Sequence, residues 1–202
     1  MASTGGREIE IKLAMADAAA GRAILKRAGF RVSRRRVFEN NTVFDTAQKT
    51  LREAGVLLRV RTAGRAFTLT YKGSVVAGSR HKNREELEVE VPDAGTMTAI
   101  LERLGFAPAA RYQKYRTEYT ETSGGGMATI DETPIGVYLE LEGSPRWIDR
   151  TARKLGFAES DYITASYASL YLEWCRRRGV TPRDMVFEKQ SGARGQGPGI
   201  GG

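Results

Sequence analysis

The sequence has one cysteine and one histidine, and their scarcity narrows the chemistry open to the chain. A lone Cys175 forms no internal disulfide and builds no cysteine metal cluster. It falls in a helical stretch and reads as a packed thiol. His81 lies in a Ser-, Lys- and Asn-rich turn and reads as solvated. No apolar run reaches the roughly 18 residues of a membrane span, so no membrane partner is expected. Met1 to Arg7 carries no apolar segment of signal-peptide type, and a cytoplasmic location is expected. A phosphate-binding loop is also missing. Gly73 and Gly78 read as turn residues, because neither follows a strand-to-helix layout.

What is present fits one well-buried domain. The 202 residues are 41% hydrophobic and 28% charged, with room for a single core over residues 1–187. Residues 188–202, ending in SGARGQGPGIGG, cannot support a core and read as a disordered tail. The formal net charge of +8 points to an anionic partner. Charge alone does not separate a nucleic acid from a nucleotide or a small polyphosphate.

One pattern returns along the chain. EIEIKL is followed by DAAAGRAILKRAGF, REELEVEV by PDAGTMTAILERLGF, and YLELEG by SPRWIDRTARKLGF. Each copy is a strand of alternating charge followed by a helix that closes on Gly-Phe. Asp17, Asp93 and Ser144 are N-cap residue types, and Pro145 suits a first helical position. Gly29, Gly105 and Gly156 suit the left-handed position beyond a helix end. Extended segments are expected at 32–39, 56–62, 66–72, 84–91, 111–120, 127–132 and 137–142. A short helix is expected over Ala47 to Glu53, closed by Gly55, and a last one from about Ile163 to Arg178. Asp45 reads as a strand end or turn residue.

Alternation sorts the charges. Residues i and i+2 of a strand share a face, about 6.6 Å apart. Glu8, Glu10 and Lys12 therefore face one way, and Ile9, Ile11 and Leu13 the other. The same parity groups Arg59 with Arg61, Thr68 and Thr70 with Lys72, and Arg84 with Glu86, Glu88 and Glu90. It also groups Lys114 with Arg116 and Glu118, Thr129 with Asp131, and Glu140 with Glu142. Tyr112 and Tyr138 fall on the same parity and read as packing or hydrogen-bonding groups. An ordinary sheet with a solvated polar face explains any one of these strands.

The whole set points further, because the acids and the bases read as two separate groups. A closed antiparallel sheet turns both inward while helices cover its apolar outside, and closure removes exposed edges. Arginine and lysine can clamp phosphoryl oxygens, and carboxylates can hold a hard cation such as Mg²⁺ or Mn²⁺. The expected fold class is α+β: a closed antiparallel β-tunnel with helices packed outside.

The ordered motifs EIEIK, NNTVFDT, LLRVR, FTLTYKG, REELE, YQKYR, TIDETPIG and YLELE resemble those of the CYTH family. The family is named for class IV adenylyl cyclases and thiamine triphosphatases. The resemblance runs from residue 8 to about 175 and implies a triphosphate tunnel fold, a closed eight-stranded antiparallel β-tunnel with helices packed outside. It implies metal-site acids at Glu8, Glu10, Glu140 and Glu142, with Glu86 and Glu88 in an R-x-E-x-E segment. Asp131 joins the metal or water network, and Lys12, Arg59, Arg61, Lys72, Arg84, Lys114 and Arg116 face phosphate. Glu8, Glu10, Lys12 and Glu88 are the candidate catalytic residues.

The activity expected is metal-dependent hydrolysis of inorganic triphosphate, thiamine triphosphate or a nucleoside triphosphate. One alternative is adenylyl cyclisation of ATP to cyclic AMP and pyrophosphate. Another is binding of polyphosphate or RNA without turnover. A homodimer is compatible with the sequence, which carries no motif for it.

Overall fold

The computed structural model describes residues 6–122 and 124–188. Eight strands form its frame: β1 (Gly6–Met15), β2 (Arg31–Asp45), β3 (Leu57–Ala63), β4 (Ala66–Lys72), β5 (Lys82–Val91), β6 (Ala107–Thr120), β7 (Gly126–Thr133) and β8 (Gly136–Gly143). They close into an antiparallel barrel in the order β1-β5-β4-β3-β2-β6-β7-β8, with β8 returning to β1. This is the expected tunnel. Residues 189–202, which hold nearly all of the expected glycine-rich tail, lie outside the described residues.

The repeated strand–helix units form as the caps predicted. The helices are α1 (Ala18–Arg27), α3 (Ala94–Arg103) and α4 (Pro145–Lys154), besides α2 (Thr50–Glu53) and α5 (Tyr167–Arg178). Asp17, Asp93 and Ser144 accept hydrogen bonds from the amides of Ala20, Thr96 and Trp147. At the far ends Gly29, Gly105 and Gly156 take φ of 85°, 90° and 91°. Phe30, Phe106 and Phe157 then donate their amides back to Leu25, Leu101 and Ala152. That six-to-one closure satisfies a carbonyl the helix would otherwise leave open.

Apolar packing lies outside the barrel wall. Ile11, Leu13, Ala128, Ile130, Leu139 and Leu141 point outward from β1, β7 and β8 and meet Leu25 of α1 and Trp147, Ile148 and Ala152 of α4. A smaller cluster joins Phe44, Val60 and Leu101, with Leu58, Leu69 and Met97 against it. Each such side chain contributes about 1.5–3 kcal/mol when fully buried. The opposite parity of every strand is left for the lumen.

Several boundaries differ from the sequence reading. β2 continues through Asn40 and Asn41 to Asp45, although Asn-Asn is a turn signal, because it pairs with β3 and β6 along that length. Asp45 ends the strand and accepts from the amides of Thr46, Leu51 and Arg52, which seats the short α2. The last helix begins at Tyr167 rather than near Ile163. Ile163 instead exchanges backbone hydrogen bonds with Lys12 at 2.9 Å, extending the wall where β5 has ended.

Candidate functional site

Charge fills the barrel interior. Glu8, Glu10 and Lys12 of β1 are buried, as are Arg59, Lys72, Arg84, Lys114, Asp131 and Glu140. Register brings them together: Glu8 stands opposite Arg84, Glu10 opposite Glu142, Lys12 opposite Glu140, and Arg116 opposite Asp131. The strand parity that sorted these residues therefore held.

The expected separation of acids from bases did not. Glu8 accepts from Lys72 at 2.5 Å and from Arg84 at 2.9 Å. Glu10 accepts from Lys12 at 2.9 Å and Lys82 at 2.7 Å, and Lys12 lies 3.3 Å from Glu140. Glu88 is bound by Thr70 at 2.7 Å and Arg61 at 3.1 Å, while Glu86 lies 3.0 Å from Lys72. Glu90 is exposed. Asp131 accepts from Arg116 at 2.7 and 2.6 Å, from Lys114 at 2.7 Å and from the Tyr167 hydroxyl at 2.8 Å. Arg116 also bonds Glu140. Interleaving is the low-energy arrangement, since a buried charge without a partner costs several kcal/mol.

The surroundings set the proton affinities. Burial pushes Glu8 upward, and so does neighbouring Glu10, but Lys72 and Arg84 outweigh both and hold it below the usual value. At Asp131 burial is likewise overcome, by Arg116 and Lys114, which hold it at about 2. Lys12 is depressed by burial yet raised overall by Glu140 and Glu10, and so stays charged. Glu142 goes the other way. Burial, then the charges of Glu8 and Glu10, push it up to about 7.

Glu142 marks the part of the lumen where negative charge is in excess. Among the described residues, no lysine or arginine forms an ion pair with it. No three His, Cys, Asp or Glu side chains form a ready-made metal cage among those residues. The donor set around Glu142 still fits a hard divalent cation. It consists of carboxylate oxygens from facing strands, and burial together with the charges of Glu8 and Glu10 keeps a proton on Glu142. Glu8, Glu10, Glu140 and Glu142 are the residues that would hold such an ion. Asp131 and Glu88 also face guanidinium groups, as do Glu8 through Arg84 and Glu140 through Arg116.

Four lumen residues were not singled out from sequence. Lys82 is buried and bonded to Glu10. Burial lowers its proton affinity even against that partner. Tyr167, at the first turn of α5, brings its hydroxyl to Asp131 and its ring within 5.1 Å of the Lys12 ammonium and 5.4 Å of the Lys114 ammonium. Glu39 and Asn41 face the lumen from the middle of β2, both fully buried. Burial pushes Glu39 upward, but Lys114, Arg116, Arg61 and Arg59 hold it at about 2. Continued alternation past Val37 was the signal for this pair. Tyr112 keeps the hydrogen-bonding role read for it, accepting from Arg59 at 2.9 Å.

His81 corrects the sequence reading. It is 4% exposed, and its Nε2 lies 2.7 Å from Asp149 Oδ1. Arg80 and Tyr162 also reach Asp149, at 2.6 and 3.2 Å. The β4–β5 connection is thereby pinned to α4 immediately before Lys82. Cys175 is buried, as read. Among the described residues, no helix is long and apolar enough to cross a membrane.

The CYTH domain model matches residues 6–188. A Methanocaldococcus jannaschii protein named as a candidate adenylate cyclase is 33% identical over 138 residues, 68% of this chain and 77% of that protein. Among solved structures, PH1819 of Pyrococcus horikoshii is 25% identical with a TM-score of 0.66, over 82% of this chain and 98% of that one. HpAC1 from Hippeastrum, a protein with a dominant triphosphatase activity, is 20% identical with a TM-score of 0.62, over 87% and 97% of the two chains. That last likeness is one of fold. With a family model spanning nearly all the described residues and a relative at this identity, the chain belongs to the CYTH family.

Proposed function

We propose that the chain removes the terminal phosphate from a triphosphate compound held in the lumen, with Mg²⁺ or Mn²⁺ as cofactor. One observation carries the reading: Lys12, Arg59, Arg61, Lys72, Arg84, Lys114 and Arg116 all converge inside a closed barrel beside an excess of carboxylates at Glu10 and Glu142. Inorganic triphosphate, thiamine triphosphate and nucleoside triphosphates share the polyanion that such a lining attracts.

The chain's own residues divide the work. Arg59, Arg61 and Arg116 bring planar forks that match phosphoryl oxygens, and a polyanion would take the place of Glu88 and Asp131 as their partner. Lys72 and Arg84, now on Glu8, would turn in the same way. Lys12 stays protonated between Glu10 and Glu140 and would hold negative charge as it develops on a phosphoryl oxygen. Glu88 orients Arg61 and Thr70 rather than reaching the metal-side acids. A divalent cation on Glu8, Glu10, Glu140 and Glu142 would neutralise phosphate charge and orient water.

Adenylyl cyclisation is the second reading, favoured by the name of the relative that is 33% identical. Both use the same lumen, so product analysis separates them. Purified protein is incubated with inorganic triphosphate, thiamine triphosphate or ATP and either metal, and all products are resolved. Metal-dependent release of one phosphate supports hydrolysis. Cyclic AMP with pyrophosphate replaces it with cyclisation. Binding without any product overturns both.

A further inference from the structure

Glu39 is an acid set among the bases of the tunnel. It stands on β2 opposite Lys114, and its carboxylate lies 3.7 Å from Arg61 Nη1 and 3.7 Å from Lys114 Nζ. Arg59 and Arg116 add their fields, and the group stays ionised. Neither of its oxygens accepts a hydrogen bond, although the side chain is fully buried. Arg59 Nε and Arg61 Nε are buried without an acceptor in the same lumen.

This differs from the other acids inside the barrel. Glu8, Glu10, Glu88 and Asp131 each draw a donor to 2.7 Å or closer. A carboxylate free to move among guanidinium and ammonium groups closes to about 2.7–2.9 Å. Glu39, in the middle of a strand paired on both sides, stands 3.7 Å from Arg61 and from Lys114. It therefore offsets the charge of these bases without itself taking their hydrogen bonds, which go to Glu88 and Asp131, while Arg59 Nε and Arg61 Nε stay open to another acceptor.

We infer that Glu39 is a built-in competitor of phosphate: a fixed negative charge that lowers the tunnel's affinity for a polyphosphate and so permits product to leave. The inference rests on the proposed triphosphate site. It reverses the usual expectation for a buried counter-ion. If Glu39 merely propped Arg61 and Lys114 in position, its loss would loosen both and weaken binding. If it competes, neutralising it strengthens binding, because a like charge near a bound anion is repulsive.

Tripolyphosphate and pyrophosphate binding is measured by calorimetry, without metal, on the wild type, Glu39→Gln and Glu39→Asp. The expected result is binding about tenfold tighter in Glu39→Gln, with Glu39→Asp close to wild type because it keeps the charge. Under turnover, Glu39→Gln lowers KM and slows product release. Unchanged or weaker binding by Glu39→Gln, with the wild type binding normally, overturns this inference alone. No binding by either protein overturns it together with the triphosphate site. Should Glu39→Gln prove too unstable for calorimetry, the rise in melting temperature on adding tripolyphosphate decides. A larger rise than in wild type supports competition, and an equal or smaller one overturns it.

Discussion

Glu142 faces Glu10 directly across the β1–β8 ladder, two acids at positions where a sheet ordinarily pairs opposite charges. Glu142 keeps its proton to about 7, whereas an ordinary glutamate ionises near 4.5. Between those values the folded state binds more protons than the unfolded one. Stability from this group therefore falls as pH rises from 4.5 through 7, and the penalty is complete above that. Glu142→Gln should gain about 1–3 kcal/mol over wild type at pH 8 and almost nothing at about pH 4. Melting curves of both proteins across this range, in chelator, check it. Excess Mg²⁺ should stabilise the wild type more than the variant.

Glu8 neutralises Lys72 and Arg84 in the lumen. Glu8→Gln should cost about 3 kcal/mol, the scale of breaking a buried pair. Tripolyphosphate should restore much of that loss by taking the two bases, as a ligand bound only to the folded state does. Metal-dependent turnover should nonetheless drop at least about 100-fold. Retention of full turnover would remove Glu8 from the metal site.

Asp149 gathers His81, Arg80 and Tyr162 on one carboxylate. Asp149→Asn should destabilise the fold by about 1–3 kcal/mol. Hydrogen exchange should accelerate across residues 73–81, and the loosened Lys82 should weaken triphosphate binding. Unchanged exchange there would show that the connection is held by its backbone alone.

These residues show where sequence stopped being informative. The strands of the tunnel were legible because Glu8-Glu10-Lys12 and Arg59-Arg61 alternate strictly with apolar neighbours, and one register places every other side chain inside. Asn41 was hidden because Asn-Asn reads as a turn, whereas pairing on both edges keeps that segment extended; Glu39 closed the expected segment 32–39 but was given no lumen role. His81 and Lys82 were hidden in a polar stretch whose fixing partner, Asp149, is distant in sequence. Tyr167 lies on a helix, where strand parity carries no information. The interleaving of acids with bases depends on distances between strands, which local sequence does not contain.

Gly126 leaves no room for a side chain. A β-carbon there would lie 2.5 Å from the Trp147 ring and 2.6 Å from the Glu142 carbonyl oxygen. Trp147 is buried against the barrel and donates its indole N–H to Glu121 at 2.8 Å. Gly126→Ala should cost about 2–4 kcal/mol through forced overpacking. Tryptophan fluorescence should report a disturbed Trp147, and native fluorescence with an unchanged melting point would refute the steric argument.

The order of strands around the barrel has a hidden equivalence. Exchange each of β1–β4 with the strand four places later, and every strand keeps the same neighbours. The two halves repeat one order of strands, yet in three of the four exchanged pairs the lining charges differ in sign. β4 carries Lys72 where its exchange partner β8 carries Glu140 and Glu142, β3 carries Arg59 and Arg61 where β7 carries Asp131, and β2 carries Glu39 where β6 carries Lys114 and Arg116. A container with twin halves would accept a linear anion either way round. Opposite charges on these exchanged strands remove that ambiguity, giving a symmetrical vessel a head and a tail.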